Sequence, residues 1–236
     1  MILPLLLYDI LLFIISVLTY GSAILLTFNT ASFFYNIINF QLFLLLTPAI
    51  LIIFLFYLIL SIWVIRLLTP KLKEGSYDAP NSNMFYIWTI HFTLNRMVSI
   101  QPIKNIILYS VNLRYLMFRA LGGKIAYGCS ISADTDLNDL QMISIGKNCV
   151  VGACTFMTGH FINKGKITFG KITIENDVNI GGFCHISPNV SIAQNAWIGA
   201  ETKISPLVKI GKNARIEPAS LIKTGTRISD DSVFPE

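Results

Sequence analysis

The sequence predicts an all-β left-handed parallel β-helix, preceded by a two-helix transmembrane hairpin and by amphipathic juxtamembrane helices. Two observations carry this prediction. Isoleucine recurs at every sixth residue near the C-terminal end, and two long apolar runs occupy most of the range 1–68. We therefore divide the chain into a transmembrane hairpin at 1–68, a juxtamembrane segment at 69–124 and a β-helix at 125–236.

The transmembrane hairpin is predicted from the apolar runs at about 2–28 and 40–68. Each run exceeds the roughly 20 residues that a helix needs to cross the hydrocarbon core. The first run is a poor signal peptide, because it lacks a basic start, is too long and is followed by a second apolar run. The connecting residues 29–39 are few and uncharged. The two spans should therefore form one hairpin.

The distribution of basic residues predicts the orientation of the hairpin. Arg66, Lys71 and Lys73 follow the second span, whereas the residues between the spans include neither Lys nor Arg. Basic residues flanking a span favour the cytoplasmic side. We expect residues 69–236 in the cytoplasm, and the protein in the inner (cytoplasmic) membrane with two spans.

The β-helix is predicted from ten isoleucines in one register. Neither an α-helix nor a simple alternating strand has a period of six residues. The fourth residue after each isoleucine is small or β-branched. Three hexads would close one triangular coil, and stacked coils would bury a continuous isoleucine column. The ladder consists of Ile174, Ile180, Ile186, Ile192, Ile198, Ile204, Ile210, Ile216, Ile222 and Ile228.

Earlier hexads follow the same pattern with two interruptions. The register slips by two residues between Leu137 and Ile145, and it breaks at 158–171. We interpret 158–171 as a loop ejected from the coil, which is where repeat proteins commonly place function. The inward positions of these earlier hexads are Ile125, Ile131, Leu137, Ile145, Val151 and Met157.

The juxtamembrane segment carries the positive excess of the chain. Residues 66–124 contain eight basic and two acidic residues, whereas 125–236 is neutral. The apolar and aromatic stretches at 84–98 and 103–121, with interspersed Arg and Lys, predict amphipathic helices on an anionic inner leaflet. Because the charge is interleaved with apolar residues beside two spans, we expect membrane lipids and no nucleic acid as partners.

Several ordered segments resemble a membrane-bound branch of the hexapeptide-repeat acyltransferases, which includes the C-terminal membrane domain of poly-lysine-type peptide synthetases. The resemblance covers roughly 66–228 and implies an acyl-CoA co-substrate and a homotrimer. One departure is that Gly159 separates Thr158 from His160, where the branch places Thr directly before His. The segments are LLTPKLKEGSYDAPNSNMFYIW at 67–88, FRALGGKI at 118–125, TDLNDLQMISIGKNC at 135–149 and CTFMTGHFINKGKITFGKITI at 154–174.

His160 is the main catalytic candidate. It lies in the ejected loop, and histidine has a suitable pKa for a general base that takes a proton from an attacking acceptor. The alternative is an ordinary surface histidine. By the resemblance, Asp139 occupies an acidic position one coil earlier and would orient the imidazole or hold the acceptor, with Asp136 as a rival. Asn163 is a weaker candidate, as a hydrogen-bond donor in the loop.

The co-substrate candidates come from the wider family, in which late coils bind CoA through backbone amides and a basic residue. Lys223 resembles the family's late lysine, which would meet the 3′-phosphate of CoA as a point charge. Lys203 and Lys209 are alternatives. The small residues that would let the pantetheine arm approach the backbone are Gly199, Ala200 and Ser205.

We expect no metal. The β-helix contains only His160 and His185, which is too few for a three-histidine metal site. The four cysteines show no zinc-binding spacing, and three of them occupy the small core positions of the repeat.

The predicted function is transfer of an acetyl or other short acyl group from acyl-CoA to a hydroxyl or amine. The acceptor would be lipid-linked or membrane-associated at the inner leaflet. The alternative is a non-catalytic trimeric β-helix that scaffolds a membrane complex. A scaffold would have no need of His160, so this residue distinguishes the two hypotheses.

Overall fold

A computed structural model describes residues 2–37, 40–41, 47–98 and 103–235. Two apolar helices, α1 (Ile2–Ile37) and α2 (Thr47–Leu68), come first. They run antiparallel, because Ser22 Oγ lies 2.9 Å from Ser61 Oγ and Thr30 Oγ1 lies 3.1 Å from the Tyr57 hydroxyl. Residues 10–37 and 48–68 are long and apolar enough to cross a membrane.

The first helix is longer than the apolar run that predicted it. Residues 29–37, expected to connect the two spans, continue α1 without a break. They contain neither Gly nor Pro, the residues that most often end a helix. The last two residues of the expected connection, at 38–39, lie outside the described residues.

Four elements connect the hairpin to the β-helix: strand β1 (Gly75–Asp78) and helices α3 (Asn83–Met97), α4 (Ile103–Tyr109) and α5 (Val111–Ala120). The helices predicted at 84–98 and 103–121 are present, the second as two helices. Ser110 separates α4 from α5, because its hydroxyl accepts a hydrogen bond from the Leu113 amide at 3.3 Å and so caps α5. β1 was not predicted from the sequence.

The C-terminal part is a parallel β-solenoid of about six turns, which confirms the predicted β-helix. Strands stack in register on three faces. Face I contains β2 (Lys124–Ile125), β5 (Ile143–Ile145), β10 (Ile172–Ile174), β13 (Ser191–Ile192), β16 (Lys209–Ile210) and β19 (Arg227–Ile228). Face II contains β3 (Ser130–Ile131), β6 (Val150–Val151), β11 (Asn179–Ile180), β14 (Trp197–Ile198), β17 (Arg215–Ile216) and β20 (Val233–Phe234). Face III contains β4 (Asp136–Asn138), β7 (Phe156–Thr158), β12 (His185–Ile186), β15 (Lys203–Ile204) and β18 (Leu221–Ile222).

The predicted isoleucine column forms the core of this solenoid. All ten ladder isoleucines are buried, from Ile198 at 0% to Ile228 at 9% exposure. Cys129, Cys149 and Cys184 are buried free thiols at the small inward positions. Burial of each isoleucine contributes roughly 1.5–3 kcal/mol, so the column supplies the main driving force for stacking the coils.

A ladder of Asn and Asp residues marks the corner between faces I and II. From Asn148 to Asp231, the corner residue of each coil has a positive φ, a conformation that Asn and Asp tolerate better than most residues. The side chains also link successive coils: Asn195 Nδ2 donates to Asn213 at 2.9 Å, and Asn213 Nδ2 donates to Asp231 at 2.7 Å. Asn148 donates to Asp177 at 3.0 Å in the same way.

The two predicted interruptions have distinct structures. A 3₁₀ helix, Leu140–Met142, follows β4 and accounts for the two-residue slip. After β7 the chain leaves the coil as an antiparallel hairpin of β8 (His160–Asn163) and β9 (Lys166–Phe169), so the segment predicted as a loop is largely a hairpin.

The ejected hairpin pairs with a strand of the juxtamembrane segment. β9 also pairs with β1, from Gly75 opposite Phe169 to Asp78 opposite Lys166, which makes a three-stranded antiparallel sheet. A small apolar cluster lies beneath it. The buried members of the cluster are Leu72, Trp88, Met142, Ile167 and Phe169. The sheet and the cluster hold the start of the hairpin beside the 3₁₀ helix.

Candidate functional site

A carboxylate and an imidazole meet where the hairpin leaves the coil. His160 Nδ1 lies 2.5 Å from Asp139 Oδ2. The Asp139 side chain is fully buried, whereas the His160 side chain is 17% exposed. The two residues that the sequence singled out for catalysis are therefore in direct contact, with the imidazole on the solvent side.

Backbone geometry brings the pair together. Asp139 has a φ of 59° at the start of the 3₁₀ helix, a left-handed conformation that ends β4. On the other side, the Gly159 amide donates a hydrogen bond to Asp139 Oδ2 at 3.1 Å. A Cβ at position 159 would lie 2.7 Å from the Met142 Cβ, so only glycine permits this close approach. The glycine between Thr158 and His160 therefore has a packing reason in this chain.

The buried carboxylate is held by several donors. Trp88 Nε1 donates to Asp139 Oδ1 at 2.9 Å, and the Thr158 hydroxyl lies 3.4 Å from Oδ2. A carboxylate removed from water is stable only when it is paired and hydrogen-bonded. Here both oxygens have partners, and the carboxylate is fixed in one orientation.

Two aromatic rings lie beside the imidazole. The Trp88 ring centroid lies 4.8 Å from that of His160, and the Phe169 ring lies 6.4 Å away. Because the Asp139 carboxylate accepts a hydrogen from Nδ1, the proton-free nitrogen of the neutral ring is Nε2. Nε2 makes no hydrogen bond to the described residues. This arrangement can remove a proton from a group that approaches Nε2 and can stabilise the resulting imidazolium.

The structure distinguishes the two acidic candidates. Asp136 lies 3.8 Å from Arg96 in an ion pair whose two side chains, Arg96 and Asp136, are 44% and 43% exposed. Asp139, not Asp136, contacts the imidazole. Asn163 is exposed at the far end of the hairpin, where it pairs with Lys166.

The other two histidines lie in different surroundings. His91 is buried in α3, and its Nε2 donates to the Pro70 carbonyl at 2.9 Å. Burial lowers the pKa of His91, and the Pro70 carbonyl opposes that shift. His185 projects outward from β12 with its ring 5.0 Å from that of Phe156. Burial and the charge of Lys203 lower the pKa of His185.

The residues predicted to bind CoA flank face III at two corners. Ser205 and Lys223 follow β15 and β18, on the same corner from which the hairpin leaves after β7. Gly199 and Ala200 follow β14, on the opposite side of face III. Ser205 and Lys223 thus lie along the corner between faces III and I, the corner column that begins at His160. Gly199 and Ala200 lie at the corner between faces II and III instead.

Gly199 has a structural role within the β-helix. A Cβ at this position would lie 2.4 Å from the Pro218 amide nitrogen of the next coil. The residue is therefore small because the coils stack closely here. Its predicted role in binding the pantetheine arm stays a prediction.

Sequence reasoning missed two contributors to the site, Trp88 and Thr158. Trp88 is 51 residues before Asp139; it ends the segment 67–88 that carries the family resemblance and lies in a predicted membrane-surface helix, but no role in the site is predicted for it. The signal that could have found it is the tryptophan itself, because a buried indole N–H usually has an acceptor. Thr158 was seen only as a neighbour of His160.

No metal-binding cluster occurs in the described parts of the chain: none of their His, Cys, Asp and Glu side chains form a group of three or more suited to an ion. The Asp139–His160 pair is surrounded instead by tryptophan, threonine and glycine. These residues hold the pair through hydrogen bonds and ring contact.

Two solved structures are similar to part of this chain. A hexapeptide-repeat-containing acetyltransferase from Vibrio cholerae is 18% identical over 62% of this chain and 85% of that chain, with a TM-score of 0.48. A maltose O-acetyltransferase from Clostridium difficile is 14% identical over 69% of this chain and 88% of that chain, with a TM-score of 0.43. No known family model and no curated protein sequence matches the chain.

Proposed function

We propose that this protein is a membrane-anchored acyltransferase that moves an acetyl or other short acyl group from acyl-CoA to a hydroxyl or amine. The observation that carries the proposal is the pair formed by buried Asp139 and partly exposed His160. A buried carboxylate destabilises a fold unless hydrogen-bond donors surround it. A protein that served only as a scaffold would therefore gain nothing from burying one. Four separate groups of this chain surround Asp139.

The proposed reaction uses His160 as a general base. Nε2 takes the proton of the acceptor hydroxyl or amine as its oxygen or nitrogen attacks the thioester carbonyl carbon. The carbon–sulfur bond then breaks, and the CoA thiolate leaves and takes up the proton from the imidazolium. Asp139 keeps Nδ1 protonated and stabilises the positive charge between these two steps.

The proposed CoA site follows the corner column from His160 to Lys223. Successive coils are about 4.8 Å apart, so Ser205 and Lys223 lie about 10 and 14 Å along the axis from the coil that carries His160. Lys223 is exposed and would meet a phosphate of the nucleotide end, leaving the thioester end toward His160. Gly199 and Ala200 would contribute only if CoA crosses face III.

Membrane anchoring is supported by the length and apolar surface of the helical hairpin. Phe13, Phe28 and Ile52 are 70%, 67% and 64% exposed on α1 and α2, which would be unfavourable in water. With Arg66 in the last turn of α2 and Lys71 and Lys73 after it, the β-helix would lie in the cytoplasm, where acyl-CoA is available. A periplasm-specific reporter fused after the last residue should stay inactive. An active reporter would contradict both the orientation and the acyl-CoA source.

We further propose a homotrimer. Phe183, Leu207 and Leu221 project large apolar side chains from the β-helix and are more than half exposed. Flat solenoid faces favour closed cyclic packing, which would cover such residues. The mass of the detergent-solubilised protein should equal three chains plus bound detergent. A mass of one chain would contradict the trimer but not the chemistry.

The test of the reaction compares His160→Ala with His185→Ala in membranes supplied with labelled acetyl-CoA. His160→Ala should lower transfer to the endogenous acceptor by about 10²-fold or more, the usual scale for loss of a general base. His185→Ala removes the other β-helix histidine and should leave transfer within about twofold. Equal transfer by wild type and His160→Ala would eliminate the catalytic role and favour the scaffold.

A further inference from the structure

A cavity of about 540 Å³ lies where α2 ends, between α2, α5 and the start of the first coil. It is separate from the Asp139–His160 pair, since neither residue lines it. One end of the cavity is cationic and the other is apolar. Arg66, Arg119 and Lys124 form the cationic end.

The cationic end has no counter-charge within the described part of the protein. No acidic residue lines the cavity, and over the side chains described at 10–37, 48–98 and 103–235 none of the three basic side chains forms an ion pair. Like charges placed together repel one another, and a bound anion relieves that repulsion. Arg66 lies over the turn that follows α5: a Cβ at Gly122 would be only 2.7 Å from its Nη2. The guanidinium is therefore seated at the cavity rather than extended away from it.

The apolar end follows one face of α2. Ile59, Leu60 and Trp63 lie three, four and seven residues after Phe56, which places the four on one side of the helix below Arg66. At 1.5 Å per residue, Phe56 and Arg66 are about 15 Å apart along the axis. Phe56 and Trp63 are 57% and 46% exposed, so these side chains lack cover from the described part of the chain.

We propose that this cavity binds an anionic phospholipid, with the phosphate at Arg66, Arg119 and Lys124 and an acyl chain along the α2 face. An arginine fork matches two phosphate oxygens, and tryptophan is favoured at the membrane–water interface. A soluble anion would leave the apolar face uncovered, and a neutral lipid would leave the cations without a net negative partner. The proposal rests on the membrane placement of α1 and α2 and is independent of acyl transfer.

The experiment uses full-length protein in non-ionic detergent, offered equal amounts of phosphatidylglycerol and phosphatidylcholine and analysed by native mass spectrometry. Wild type should retain phosphatidylglycerol about tenfold in preference to phosphatidylcholine. The double variant Arg119→Gln, Lys124→Gln should retain about tenfold less phosphatidylglycerol, since each cation near a lipid surface contributes a several-fold factor. Both residues are exposed, so the fold should survive.

Two further variants separate charge from shape. Lys147→Gln with Lys212→Gln removes the same charge from exposed sites away from the cavity and should leave retention within about twofold. Leu116→Trp keeps all three cations but fills the apolar part and should also reduce phosphatidylglycerol retention. Thermal unfolding of each variant checks that the fold is intact.

Several outcomes would overturn the lipid site. These are equal retention of the two lipids by wild type, unchanged retention by the Arg119, Lys124 variant, or full displacement of lipid by inorganic phosphate. An oligomer that carries no lipid and dissociates with Leu116→Trp would assign the cavity to a second copy of the chain. The labelled-CoA assay on the same proteins reports acyl transfer separately, so failure of one proposal is distinguishable from failure of the other.

Discussion

The late coils and the early coils of the β-helix follow the same repeat, but only the early coils are interrupted. From β10 to β19 the coils are uninterrupted, and their inward positions are isoleucines with small or β-branched residues. Between β4 and β10 the repeat is broken twice, by the 3₁₀ helix and by the ejected hairpin. The buried carboxylate lies at the first break and the imidazole at the second. In this chain, departures from the repeat locate the polar site, and adherence to the repeat locates the core.

The sharpest test of the regular region is Ile198→Asp. Ile198 is fully buried in β14, so the substitution places an unpaired charge in the isoleucine column. We expect a loss of more than about 4 kcal/mol of folding free energy, which would abolish the β-helix. Circular dichroism and protease resistance of the detergent-solubilised protein measure this. The matched control, Lys209→Asp, introduces the same carboxylate on the outward side of β16 and should fold.

In the interrupted region, Asp139→Asn should damage activity more than folding. The amide is isosteric, but it turns an NH₂ group toward one of the donors that surround the carboxylate, and it leaves an imidazolium without a counter-charge. We expect acyl transfer to fall by more than about tenfold, though less than for His160→Ala, because the base itself remains. Asp136→Asn is the control and should retain nearly full transfer. Equal effects of the two substitutions would contradict the assignment of Asp139.

Trp88→Phe tests the link between the juxtamembrane segment and the coil. The substitution keeps an aromatic ring but removes the Nε1 donor to Asp139 Oδ1. An unsatisfied buried carboxylate oxygen costs about 1–3 kcal/mol, and the carboxylate would be less firmly oriented. We expect a several-fold loss of transfer together with a lower melting temperature. Trp197→Phe, which loses an indole on the outward side of β14, should change neither quantity appreciably.

The smallest effect should come from the pH response of His91. Burial lowers the pKa of this histidine from its usual 6.5, so the folded state favours the neutral ring. With respect to His91, the free energy of unfolding is therefore highest above pH 6.5, where the ring is neutral in both states. It decreases as the pH falls, because the unfolded chain then binds the proton more readily than the folded chain. His91→Gln keeps a donor for the Pro70 carbonyl without a titrating group. The fall in melting temperature from pH 7.5 to 5.5 should be a few degrees smaller in the variant. An identical fall in both proteins would contradict this origin.

The regular region could be predicted because the sequence of each hexad shows which of its residues points into the core. The period-six isoleucines specify which residues point inward, and the two-residue slip marks where the 3₁₀ helix is inserted. His160 could be placed near the coil edge for the same reason. A repeat pattern contains no comparable signal for contacts between distant segments.

The contacts that complete the site are of that distant kind. Trp88 reaches Asp139 across 51 residues, and β1 pairs with the much later strand β9. Whether a juxtamembrane helix lies on lipid or against the coil depends on which apolar surface it covers, and its amphipathic sequence is compatible with both. Which of Asp136 and Asp139 contacts His160 likewise depends on the left-handed backbone conformation at Asp139, which could not be predicted from the sequence.

The asparagine and aspartate ladder has a consequence for how the length of such a chain can change during evolution. In the regular coils, Ile174 pairs with Ile192 one coil further on, and the Asn and Asp corners recur at the same interval. Gain or loss of a whole coil keeps the left-handed corner between faces I and II on Asn or Asp, and it keeps the side-chain links between coils. A shorter or longer insertion that stays in the coil within 172–228 would break those links and turn isoleucines out of the core. Length variation among related chains should therefore occur there in steps of one whole coil, or as segments that leave the coil at a corner, as β8 and β9 do.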